Sequence, residues 1–150
     1  MMYKKQCSAY GIARETVGSV RRIVMLYDGI IKFAMQARHA IEENRIADRF
    51  NNLERACKIL LGLQSCLDFT QGDGKIAHIL FNFYVTTNLR MMALNQSRSV
   101  KDCDGIIQDL KKMRDTWEGI SNSTSGGDAA NTIPSQESLS AKLESVAVSI

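Results

Sequence analysis

The sequence contains one proline, Pro134, in 150 residues. Proline breaks helix interiors, so its scarcity permits long uninterrupted helices and argues against a turn-rich all-β fold. Cysteine is sparse too. Four cysteines stand at positions 7, 57, 66 and 103, with no CxxC pair and no neighbouring histidine. That spacing fits no zinc motif, and no metal site is expected. The two histidines, His39 and His78, belong to no Glu-x-x-His pair, which excludes the carboxylate di-iron bundles. No HExxH, GxGxxG or phosphate-cradling loop occurs, and no nucleophile has a base beside it. Neither an enzyme nor a cofactor is expected. Gly72-Asp73-Gly74 precedes a helical segment and reads as a helix-breaking turn rather than an anion site. No run approaches the ~18 apolar residues of a membrane-spanning helix. Met1–Cys7 is followed by no apolar leader core, so a cytoplasmic location with free thiols is expected.

Charge is weak as well. The net charge is +3, too small and too scattered to predict nucleic-acid binding. The chain is 45% hydrophobic and 23% charged, an ordinary soluble balance in a length that suits one domain with its own core.

What the sequence does contain is helical periodicity. Four segments repeat apolar residues at the 3.6-residue period, at about 19–44, 47–68, 75–95 and 101–120. Ser19 is a candidate cap for the first, where Ile23, Leu26, Tyr27, Ile30, Phe33, Ala34, Ala37 and Ile41 form a stripe widened by Val20, Val24, Ile31 and Met35. The second places Phe50, Leu53, Cys57, Leu60 and Leu67 on one face. The third has a core face (Ile76, Leu80, Phe83, Tyr84, Met91, Leu94) and an opposite apolar face (Phe81, Val85, Leu89, Met92). The fourth carries a single stripe of Cys103, Ile106, Ile107, Leu110, Met113 and Trp117. Four such helices with short connections predict an all-α, antiparallel up-down four-helix bundle over 1–120, with an irregular arm at 1–16. Residues 121–150 are rich in Ser, Asn, Thr and Gly and read as a flexible tail. Its last patch contains Leu139, Leu143 and Val146. Two readings stay open for it: a disordered tail, or a short amphipathic helix or marginal strand that folds back onto the binding groove as an internal mimic of the partner.

The first and third segments carry more apolar surface than a four-helix core absorbs, and such surplus marks partner surfaces. A central position in a small bundle, or a homodimer through the second face of the third helix, is the alternative use of that surplus. The helical wheel nominates Val24, Tyr27, Ile31, Phe81, Val85, Leu89 and Met92 as partner contacts. Tyr27 reads equally well as a core tyrosine.

Met25-Leu26-Tyr27-Asp28-Gly29 followed by Ile30-Ile31-Lys32-Phe33, together with Arg114-x-x-Trp117 in the last helix, resembles the flagellin export chaperones, the FliS family. The similarity spans about 14–120. It implies a cytoplasmic, non-enzymatic bundle that binds the C-terminal segment of flagellin in apolar grooves, prevents premature polymerisation and assists type III flagellar export, with export-apparatus components as further partners. It also implies an arm whose tyrosine lies over the groove, for which Tyr10 is the nearest match. Met25, Leu26, Asp28, Gly29, Arg114 and Trp117 belong to the motif and read as structural. A co-chaperone or regulator of the same bundle, binding another flagellar component, is the competing reading.

Overall fold

The computed structural model describes residues 17–70, 72–125, 141 and 143–145. Four helices form the bundle: α1 Val17–Glu42, α2 Ile46–Ser65, α3 Lys75–Ser97 and α4 Val100–Ser125. They run antiparallel, and no strand occurs among the described residues. The predicted arm, including Tyr10, and most of the predicted tail lie outside the described residues.

Local chemistry sets the turns. After α1, Asn44 takes a left-handed φ of 55°, which asparagine tolerates better than most residues. The Arg45 N–H then reaches back to the Ala40 carbonyl at 2.8 Å and the Asn44 N–H to Ile41 at 3.3 Å. This double return satisfies the orphan carbonyls of the helix end and reverses the chain in three residues. α2 ends at Ser65, short of the expected Asp68, because the chain is taken over by a side-chain turn. Asp68 accepts hydrogen bonds from the Thr70 N–H at 2.9 Å and from the Thr70 hydroxyl, the local competition that diverts aspartate from helices. Gly74 caps α3 with φ +73°; a Cβ there would stand 2.7 Å from the Phe69 carbonyl oxygen. α4 begins at Val100 because the Ser99 hydroxyl accepts the Asp102 N–H at 3.1 Å, an N-cap at a residue the apolar stripe does not reveal. At the other cap the expectation fails. α1 is already helical from Val17, so Ser19 lies inside its first turn.

α1 is the central helix, packed closely against both α2 and α4, while α3 packs on α2 and meets α4 most sparingly. Small residues permit the tight pairs. Ala34 and Ala37 of α1 and Cys103 of α4 are almost fully buried, and the Cys103 thiol points at the Ala34 carbonyl, 3.6 Å away. On the other side of α1, a Cβ on Gly29 would already touch Ile59 of α2 at 3.4 Å. The core joins Ile23, Tyr27 and Ile30, Leu53 and Leu60, Leu80, Phe83 and Tyr84, and Leu110, Met113 and Trp117.

Three core assignments are corrected. Leu26 and Met35 of α1 are 43% and 45% exposed, and Phe50 of α2 is 53% exposed while Arg49 is buried instead. The core line of α2 runs through Leu53, Ala56, Leu60 and Leu63. Arg49 lies one heptad before Ala56 on that line, while Phe50 is rotated a further 100° toward solvent.

Candidate binding surface

A polar knot sits at the centre of the bundle. The Tyr27 and Tyr84 hydroxyls are 2.7 Å apart, and both rings are wholly buried. Burial, with Tyr84 alongside, pushes the Tyr27 phenol well above its ordinary value of 10.0, and a hydrogen bond from the Trp117 side chain opposes this only in part. A hydroxyl pair in a dry core specifies which tyrosines meet, because either one misplaced would lose its partner. This explains how the widely separated Tyr27 and Trp117 of the sequence motif act together. Asp28 and Arg114 form the outer part of the same connection. Arg114 donates to Asp28 at 2.7 Å and to Glu118 at 2.6 Å, tying α1 to α4 beside the buried Trp117. Arg38 repeats the device one end further along, joining Asp104 of α4 and Glu42 of its own helix.

Nothing described here is arranged for catalysis. Among the described residues no group of three or more His, Cys, Asp or Glu side chains gathers to hold a metal ion. The Cys57 and Cys103 thiols are pushed up to about 11, chiefly by burial and secondarily by Glu54 and Asp104 respectively. At neutral pH they stay protonated and poorly nucleophilic.

The residues nominated as partner contacts fall into two sets. Val24, Tyr27 and Ile31 lie inside, with 7%, 0% and 8% of their surface exposed. α1 has neighbours on both flanks, so its wide apolar arc is largely covered. Phe81 and Val85 are half-buried, while Leu89 and Met92 are 63% and 57% exposed. These four form one stripe along α3, on the flank away from Arg90, which reaches across to Asp109 of α4 at 2.8 Å. That stripe therefore turns toward α2.

α2 meets it with apolar residues of its own. Ile59 of α2 faces Gly29, and Arg55 lies over the Phe33 ring at 5.7 Å, so that flank belongs to α1. The opposite flank carries Phe50, Cys57 and Leu61 toward α3. Phe69, from the connecting turn, closes the end with its ring 6.0 Å from Phe81 and 4.9 Å from His78. The result is an apolar seam along α2 and α3 in which Phe50, Leu61, Phe69 and Met92 remain substantially exposed. Beneath it, the side-chain oxygens of Asn88 and Asn95, one heptad apart on α3, are shut off from water with no hydrogen-bond partner among the described residues. Buried acceptors of this kind normally have a donor. Phe50 and Leu61 were missed as surface residues; the signal was the alignment of Arg49 with Ala56, which rotates Phe50 outward.

The described residues form a helical bundle with an exposed apolar seam, and surplus apolar surface of that kind marks a partner site. The family model described as "Flagellar protein FliS" matches residues 4–124, and the chain belongs to that family. It is 27% identical over 117 residues to a protein of Campylobacter jejuni called flagellar secretion chaperone FliS, covering 77% of this chain and 90% of that one. It is 29% identical to flagellar secretion chaperone FliSB of Pseudomonas aeruginosa over 102 residues, 68% of this chain and 80% of that one. A Vibrio cholerae flagellar secretion chaperone FliS is 26% identical over 106 residues, 70% and 77% of the two chains. The family supports a role as a flagellar export chaperone. No helix among the described residues is long and apolar enough to cross a membrane.

Proposed function

We propose that this protein is a cytoplasmic chaperone that binds the C-terminal segment of flagellin, keeps it from polymerising early and assists its export. The observation that carries the reading is the seam of α2 and α3. It offers a long apolar track that leaves Phe50, Leu61, Phe69 and Met92 substantially exposed. A segment disordered when free matches such a track. It covers a large surface while its ordering entropy keeps binding reversible, and an amphipathic stretch laid into the seam is recognition of helix in groove. Phe81, Val85, Leu89 and Met92 are the proposed client contacts on α3, with Phe50 and Leu61 opposite. Val24, Tyr27 and Ile31 belong to the core behind the seam, and Asp28, Gly29, Arg114 and Trp117 hold the bundle in register, whereas Met25 and Leu26 lie at its surface.

The test is calorimetric titration of the full chain with the C-terminal segment of the host's flagellin, with the N-terminal segment as control. Saturable 1:1 binding of the C-terminal segment alone, with a negative heat-capacity change, is the expected result. Binding of neither segment by the folded chain rejects flagellin as client and leaves the co-chaperone reading. Self-association that buries the seam, seen by sedimentation, would replace both with the homodimer.

A further inference from the structure

α3 and α4 are neighbours in sequence and antiparallel in space, yet they pack together less than any other adjacent pair of helices. Their flanks are bridged by Arg90 and Asp109. Toward the start of α3 and the end of α4 the wall is apolar: Ile76 and Ile79 on one side and Ile120 on the other are partly buried against the core. Helices that pack so sparingly leave such side chains short of dispersion contacts unless another segment covers them.

The covering segment comes from the end of the chain. Leu143 has no exposed surface and belongs to the same buried cluster as Trp117 and Leu80. Its neighbour Glu144 reaches Lys75, the first residue of α3, at 3.2 Å. Lys75 lies one turn before Ile79, and the flank of α3 toward α4, where the two helices pack most sparingly, is the side left open to Leu143. The described tail residues, Ala141 and Leu143–Ser145, are helical. In the sequence, Leu139, Leu143 and Val146 recur at helical spacing.

We propose that the segment around Leu143 is an internal ligand of the slot between α3 and α4, and that it competes there with an apolar helical stretch of the client. The proposal rests on the reading of the protein as a chaperone for a wrapping segment; it adds a second contact region and a device that regulates it. The recognition chemistry is a leucine anchor followed by an acid that meets Lys75, and a client stretch of that pattern fits the same place. One leucine and one exposed ion pair make a small contact. Belonging to the same chain nevertheless keeps the local concentration of the segment on the order of millimolar, enough to hold the slot when no client is present and little enough to yield when one arrives.

The experiment uses the full chain with Leu143→Asp, and separately with Lys75→Glu, Glu144→Lys and the two combined. Hydrogen exchange of the amides at 76–83 and 116–121 reads whether the tail covers the slot. Titration with the C-terminal segment of flagellin reads competition. In Leu143→Asp, faster exchange at both stretches and a client affinity raised about tenfold are expected, the gain for a slot otherwise closed about nine times in ten. Each single charge variant should shift exchange in the same direction, and the double variant should restore it. This arm decides the matter if Leu143→Asp fails to fold. Unchanged exchange overturns docking of the tail. Faster exchange with unchanged or weaker client binding makes the tail a structural strap and overturns competition. Binding of no flagellin segment by any variant removes the client reading and the competition with it, while the exchange result still decides the docking.

Discussion

Gly74 is the position where a single added carbon does most damage. It joins the turn after α2 to the first residue of α3 with φ +73°, and an added Cβ lies 2.7 Å from the Phe69 carbonyl oxygen. Alanine in the left-handed region costs about 1–2 kcal/mol. The contact adds to this, because the obstructing atom is backbone and cannot rotate away; relief requires moving Phe69, whose ring packs on His78 and Phe81. A total of about 2–4 kcal/mol follows. For a chain of this size each kcal/mol shifts Tm by roughly 3–4 °C, so Gly74→Ala should lower Tm by about 6–16 °C in a circular-dichroism melt. Gly62 and Gly119 lie inside helices, and nothing stands within 4 Å of a Cβ at either. Alanine there should leave Tm unchanged or raise it, by up to about 1 kcal/mol of helix propensity. A Gly74→Ala protein that melts within 2 °C of the parent would refute the argument, as would equal losses at all three glycines.

The phenol and thiol shifts predict loss of stability in alkali. Tyr27, Cys57 and Cys103 all have folded values raised above their ordinary ones. Their contribution is therefore complete below about pH 9 and is lost as the pH rises further, since the unfolded chain gives up these protons first. Urea midpoints should be flat from pH 7 to 8.5 and fall by pH 10.5, and Tyr27→Phe should soften the fall. Leu110→Ala, at a position with no exposed surface, should cost about 2–5 kcal/mol in urea unfolding with an unchanged m-value. Reversing Asp28 to Lys should destabilise only modestly, because the pair with Arg114 is half exposed; Arg114→Glu in the same chain should recover only part of the loss, because residue 114 also faces Asp115 and Glu118.

Much of the fold could be read from period alone, since four long apolar repeats without proline leave few arrangements besides a bundle. The ends of the helices were less legible, because Ser99, Asn44 and the Asp68–Thr70 turn act through hydrogen bonds that carry no apolar signal. The candidate surface was half legible. The wheel found the outer stripe of α3 from Phe81 to Met92, but it could not say which arcs neighbours cover. Val24 and Ile31 sit on a helix flanked on both sides and disappear into the core. Phe50 passed for a core residue because a bulky aromatic next to an arginine is the natural choice for burial; only the line through Leu53, Ala56 and Leu60 reverses that choice. The spacing of Leu139, Leu143 and Val146 left a fold-back open, but the burial of Leu143 depends on contact across a long sequence separation, and no local pattern says which face receives it.

If the seam between α2 and α3 binds the client, a charge on either wall must weaken binding. Phe50→Glu and Met92→Glu place a charge on each wall at residues already more than half exposed, so the fold should survive both. Met25 is 65% exposed on the outer face of α1, and Met25→Glu is the control. Titration of the three full-length variants with the C-terminal segment of flagellin should show affinity reduced at least about tenfold for Phe50→Glu and Met92→Glu, on the order of 1.4 kcal/mol each, and unchanged for Met25→Glu. Full affinity in both seam variants, with their circular dichroism unaltered, would contradict the claim.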